Sequence, residues 1–309
     1  MKRILFNNAS GFLMVFFAFF FAVQVRVSAE AAEMPDYEHH DHFMQGMEMP
    51  DMKAGKVAVE IKTEPASIKP GNPETITLVI KDAEGNPVQE ITPTHDRSLH
   101  VIIASQDFTV FSHIHPEDFG PITPEMEKTG EYPVHYTFPK PGRYLIGVDL
   151  AVKDELISKH FDIDVAGEPG MGMPAADFSG KKKFGDYEVT LSAKPARIAT
   201  GKEVTLTYNF TENGKPVGDL EPYIAAEMHV AIISTDLRQF MHEHGMLPGM
   251  KATEQEMHHM MMHHGGIAAK FGPVIEVHTV FPVRGVYGIF GQVMHRGKVI
   301  LTRFMVEVE

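Results

Sequence analysis

The chain has 309 residues, with 28 Lys and Arg against 41 Asp and Glu and a formal net charge of −13. A balance this acidic argues against nucleic acid as a partner and suits the attraction of cations. There is no cysteine, which excludes a disulfide framework, thiolate metal sites and a blue-copper centre.

Met1-Lys2-Arg3 leads into an apolar stretch from Gly11 to Val25 and then into Val27-Ser28-Ala29. A basic start, an apolar core and a small-residue end make a secretory signal, expected over residues 1–29 with cleavage after Ala29. The expected product is exported, periplasmic or extracellular, with no membrane span after cleavage, because no later segment is long and apolar enough. Residues 30–56 are polar and unpatterned, so they read as a disordered tail. That tail carries His39, His40, His42, Met44 and Met47, an auxiliary set of imidazole and thioether donors.

From residue 57 the pattern changes to short alternating runs rich in β-branched and aromatic residues, separated by Gly, Pro, Asn and Asp. The runs VAVEIKTEP, TITLVIKD, LHVIIAS, FTVFSHIH and RYLIGVDLAV read as strands of an all-β, immunoglobulin-like antiparallel sandwich over 57–166. A Gly/Pro-rich linker follows at 167–183, and a second sandwich occupies 184–309. The second domain repeats the first. Pro65-Ala66, Gly71 and the run Gly85 to Val88 match Pro195-Ala196, Gly201 and the run Gly214 to Val217, at an offset of 129–130 residues. The offset becomes 143 further on, which places a 14-residue insertion between His244 and His278, in a Met/His-rich loop at 245–266.

The chemistry lies in what the repeat preserves. LHVIIASQDFTVFSHIH at 99–115 and MHVAIISTDLRQFMHEH at 228–244 each place a His thirteen residues before a His-x-His pair. If Gln106-Asp107 is a two-residue turn, His100 falls opposite His113, and alternation puts His115 on the same face. Thr235-Asp236 would do the same for His229, His242 and His244. A fourth repeated His precedes Phe-Pro in each copy, at His135 and His278. The expectation is one metal site per domain: His100, His113, His115 and His135, then His229, His242, His244 and His278. The competing reading is a buried network of hydrogen-bonded imidazoles, which would leave ring nitrogens without donors unless an electrophile sits between them. His95, His160 and His295 have no counterparts and read as structural or surface residues.

Met241 to His264 contains seven Met and six His. Thioethers favour Cu(I) and imidazole suits copper and zinc, so Met246, Met250, Met257, His258, His259, Met260, Met261, Met262, His263 and His264 form a second auxiliary set. Copper, as Cu(II) or Cu(I), is the expected ion, with zinc as the alternative.

The run Leu99-His100, Ser105-Gln106-Asp107, Phe111, His113, His115 and Pro116, preceded by a Gly-x-Pro-Val turn, resembles bacterial exported YtkA-like or FixH-like β-sandwich proteins. Met228-His229, Ser234-Thr235-Asp236, Phe240, His242 and His244 repeat it. Many such proteins accompany heavy-metal resistance genes, so the resemblance implies an exported sandwich with a metal link. A looser likeness to CopC-type periplasmic copper carriers rests on fold class and Met/His content. Together these readings give a copper-binding protein of the cell envelope, for buffering, resistance or delivery to an efflux or cuproenzyme-assembly partner. No serine or cysteine nucleophile arrangement or phosphate-cradling loop stands in the sequence, so no enzyme is expected. Two alternatives stay open. His113-Ile114-His115-Pro116-Glu117 is similar to a cupin metal motif, which would make a three-His metalloenzyme, and a structural or adhesion module would use the imidazoles only for packing.

Overall fold

The computed structural model describes residues 57–153, 155–168, 176–250 and 268–309. The signal segment, the Met/His tail, part of the linker (169–175) and Met257 to His264 lie outside the described residues. The first repeat forms β1 (Val57–Glu64), β2 (Pro73–Asp82), β3 (Ile91–Thr92), β4 (Leu99–Ser105), β5 (Phe111–Ile114), a 3₁₀ turn at Pro116–Asp118, α1 (Pro124–Thr129), β6 (Glu131–Thr137), β7 (Gly142–Val152) and β8 (Glu155–Val165). The second forms β9 (Lys181–Phe184), β10 (Tyr187–Lys194), β11 (Glu203–Glu212), β12 (Lys215–Pro216), β13 (His229–Ser234), β14 (Phe240–His244), β15 (Val274–Val280), β16 (Gly285–His295) and β17 (Lys298–Val308).

Each repeat is an antiparallel sandwich of two sheets. In the first, β1-β2-β6 forms the outer sheet and β3-β7-β4-β5, with β8 on β7, the inner one. In the second, the outer sheet is β12-β11-β10-β9 with β15 on β11, and the inner sheet is β14-β13-β16-β17. The two tandem immunoglobulin-like sandwiches thus follow from the alternation in the strands.

The inner strands break that alternation, and the reason positions the site. β4 and β13 are buried along their whole length. Leu99, Val101 and Ile103 face the first core with Tyr144, Ile146 and Val148. Ile102 and Ala104, on the opposite face, join Phe108, Leu145, Ala231, Ile233, Leu237, Phe240 and Phe290 in a third apolar cluster. That cluster draws on both repeats, so the two inner sheets pack against each other. Phe111 stacks on Phe290 with ring centroids 4.4 Å apart, and Phe240 lies over Gly147, where a Cβ would come within 2.4 Å of its ring. Burying an aromatic side chain of this kind contributes about 1.5–3 kcal/mol. Where β4 and β13 continue past this apolar half, the next residues on the shared face are His100 and His229.

The hairpins differ from the expected two-residue turn. Ala104 pairs with Phe111 and Ile102 with His113; in the second repeat His229 pairs with His244 and Ala231 with His242. The loop is longer because Ser-x-Asp builds it. Ser105 Oγ donates to Asp107 Oδ1 at 2.6 Å while accepting from the Val110 backbone at 3.0 Å, and the Thr109 backbone also donates to Asp107. Ser234, Asp236, Arg238 and Gln239 repeat the arrangement. Phe108 and Leu237 close these loops with φ of 58° and 64°. The slip is two residues, so every side chain keeps its face.

Candidate metal centre

His100, His113, His229 and His242 come together between the two inner sheets, each offering one ring nitrogen within 4.8 Å of the others. The two histidine sets, expected as separate sites, are therefore not apart: because the inner sheets face each other, they meet in one cluster. His115 and His244 join the same cluster, their rings 4.6 and 4.9 Å from those of His113 and His242.

His135 and His278 do not join it. They lie on β6 and β15, which pair with β2 and β11 in the outer sheets. His135 is exposed, beside Thr75 at 3.2 Å, with its ring against Phe119. His278 sits beside Thr205 at 3.3 Å and Glu203 at 3.8 Å. Among the auxiliary residues, Met246 bridges the backbone of Glu276 and Met250 is exposed. The other auxiliary residues fall outside the described residues.

One residue read as structural belongs here. His95 donates from Nδ1 to the Ala225 carbonyl at 2.7 Å, crossing from the first repeat to the second, and stacks on His244 at 4.0 Å. Its repeat partner, Ile224, has no imidazole to betray the position. His160 is exposed on β8, and His295 is buried between Tyr187 and Asp219, as a structural residue would be.

The outer nitrogens of the ring cluster fix its chemistry. His100 Nε2 meets the Thr94 carbonyl at 3.1 Å and His229 Nε2 meets the Ile224 carbonyl at 3.1 Å. His242 Nδ1 meets Asp149 Oδ2 at 2.9 Å, and His115 Nδ1 meets Asp118 Oδ2 at 3.0 Å. His113 Nδ1 donates to Gln292 Oε1 at 3.0 Å. Carbonyls and carboxylates only accept, so in each neutral ring the single proton points outward and the inner nitrogen is a bare lone pair. Those lone pairs face one another. His100 Nδ1 is 3.1 Å from His113 Nε2, which is 3.1 Å from His115 Nε2, and His229 Nδ1 is 3.3 Å from His242 Nε2.

Burial pushes His100, His113, His229 and His244 well below the ordinary imidazole range, and the neighbouring rings push them further. His115 is lowered by burial too, with Asp118 pulling the other way. These rings are therefore neutral at pH 7, the form that ligates. A proton is thus a poor candidate for the missing electrophile and a metal ion a good one.

Asp149 and Gln292 were not read as site residues. They occupy equivalent positions, opposite His100 on β4 and His229 on β13, and each reaches across to a histidine of the other repeat. The available signal was a lone polar residue inside each apolar run, LIGVDLAV and GIFGQVM.

Fold and site together define a tandem β-sandwich protein with a buried imidazole cluster, able to hold a metal ion, between its repeats. The chain belongs to the family described as "Domain of unknown function (DUF8832)", which matches residues 53–167 and again 182–309. No curated protein matches it. Among solved structures, the Escherichia coli adhesin FdeC is similar at 13% identity and a TM-score of 0.23, over 83% of this chain and 65% of that one. E. coli alpha-2-macroglobulin is similar at 8% identity and a TM-score of 0.26, over 81% of this chain and 16% of that one. A carbohydrate-binding module of the beta-sandwich superfamily is similar at 9% identity and a TM-score of 0.22, over 82% and 98%. The chain thus spans less than two thirds of the first two. Among the described residues no helix is long and apolar enough to cross a membrane.

Proposed function

We propose that this chain is an exported metal-binding protein that takes copper into the imidazole cluster between its two sandwiches, buffering it or handing it on in the cell envelope. The observation that carries this reading is the set of five rings whose outer protons are committed and whose inner lone pairs converge. Nitrogen lone pairs at 3.1–3.3 Å repel unless an electrophile lies between them. Neutral imidazole without thiolate suits copper, and zinc is the alternative. The soft Met tracts in the sequence favour copper of the two, and the signal-like first residues support export.

The proposed role is binding, not catalysis. Imidazoles close in on the cluster from both repeats, and His100, His113, His115 and His229 are buried, which suits holding an ion away from solvent. Handing on would need a recipient of the efflux or cuproenzyme-assembly class.

The test is metal content and thermal stability of the untagged mature chain with Cu(II), with Cu(I) under reductant, with Zn(II) and with chelator. Copper retained through dialysis, a raised melting temperature and loss of both in His113→Gln/His242→Gln are expected. A protein that holds no ion and is indifferent to chelator would have a packing network instead, and the adhesion or structural reading would replace this one.

A further inference from the structure

The cluster has more donors than one ion uses, and they fall into two matching sets. In the first repeat the ring centroids of His100–His113, His100–His115 and His113–His115 are 5.3, 5.0 and 4.6 Å apart, at interplanar angles of 36°, 85° and 55°. In the second, His229–His242, His229–His244 and His242–His244 are 5.4, 4.8 and 4.9 Å apart, at 30°, 77° and 47°. Two triads of the same shape face each other across the interdomain plane. A metal–nitrogen bond of about 2.0–2.1 Å sets neighbouring ligand nitrogens roughly 3.3–3.5 Å apart. Three of the spacings within the repeats, His100–His113 and His113–His115 at 3.1 Å and His229–His242 at 3.3 Å, already lie close to that edge. His244 supplies a second, independent sign. Both of its ring nitrogens are buried with no hydrogen-bond partner among the described residues, a costly arrangement that a ligated ion would relieve.

Resting on the metal-binding reading above, we infer that the cluster is a dinuclear centre: one ion on His100, His113 and His115, a second on His229, His242 and His244. Repulsion between the ions scales with the product of their charges and is four times smaller for a monovalent than for a divalent pair. The doubly filled state is therefore that of monovalent copper, with the carboxylates of Asp118 and Asp149 behind His115 and His242 offsetting the charge. The triads are unequal in one respect. Asp118 holds His115 through both its ring and its backbone amide, whereas Leu247 stands at the matching position and gives His244 no such carboxylate. The first triad is better preorganised and fills first.

The experiment titrates the full chain anaerobically with Cu(I) against a Cu(I)-selective chelator and counts bound copper by elemental analysis. Wild type is compared with His113→Gln/His242→Gln, which disables both triads and leaves the Met/His tracts in place. Wild type should hold two more ions than this variant, in two steps of unequal affinity, and His244→Gln should hold one more. A difference of one overturns the dinuclear centre and leaves a single four-histidine site standing. A difference of zero overturns both readings. Should the double variant fail to fold, His115→Gln and His244→Gln decide the matter alone: each lowers the count by one, and an unchanged count in both overturns the inference.

Discussion

At the scale of single residues, the ligands matter less by themselves than with the groups that orient them. His242 presents Nε2 to the cluster because Asp149, from the other repeat, accepts a hydrogen bond from its Nδ1 at 2.9 Å. Removing such a partner frees the tautomer and the ring angle, which typically costs 10–100-fold in metal affinity. We expect Asp149→Ala to weaken copper binding by about that factor and Asp149→Asn, which keeps an acceptor, by less. His135→Ala and His278→Ala should leave affinity unchanged. A chelator-competition titration of the four variants checks this, and equal losses in all four would sink the assignment. The spacing of His100, His113 and His115 and of its copy pointed to the cluster, because alternation survives a two-residue change of register. His135 and His278 repeat just as faithfully, yet repetition reports common ancestry of the two domains and not which sheet a strand enters. Asp149 is a lone polar residue in an apolar strand, a signal that acquires meaning only when the opposing domain is in place.

Among elements, the inner hairpins do two jobs. Their loop ends carry Phe108, Phe111, Leu237 and Phe240 into the interdomain apolar cluster, and their other ends carry the histidines. Phe240 opens β14, the strand that holds His242 and His244, and it rests where Gly147 lacks a side chain. Gly147→Ala places a methyl 2.4–2.6 Å from that ring, too close for real atoms. Overpacking of this kind typically costs 1–3 kcal/mol, and here it lifts β14 away from β7. Urea unfolding should show reduced stability of about that size, and copper affinity should fall although no ligand has changed. Reduced stability with unaltered affinity would mean the apolar half and the histidine half are not mechanically coupled. The strands themselves were legible, since they alternate and end at Gly, Pro and Asp. The hairpin length was not, because the four-residue loop depends on Asp107 and Asp236 binding backbone amides and on a left-handed Phe or Leu, residues that turn preferences disfavour.

For the whole molecule, the packing of two domains on a face half apolar and half imidazole makes stability depend on both pH and metal. The sequence could not show this packing, since a strand such as LHVIIAS, apolar on both faces, fits a core as readily as an interface. His100, His113, His229 and His244 all have folded-state values below the ordinary 6.5. A group depressed in this way adds no penalty above its unfolded value. Below that value the unfolded chain takes up a proton that the native cluster refuses, so stability falls as pH falls. Each such group costs about 1.4 kcal/mol per pH unit, and four acting together cost about 5–6 kcal/mol per unit, comparable to the whole stability of a typical domain. Glu243, raised by burial to about 7 from 4.5, works in the opposite direction: its contribution is present at low pH and lost as pH rises through about 7. It is one group against four, so the acid-sensitive side dominates. We therefore expect the metal-free chain to lose most of its urea resistance between pH 7.5 and 5.5. Copper at a hundredfold excess over its dissociation constant should restore about 2.7 kcal/mol at the upper pH. The restoration should shrink at pH 5.5, where protons compete for the same lone pairs. A urea midpoint independent of pH, or a copper effect that does not diminish in acid, would mean the rings are neither buried neutral nor the ligands.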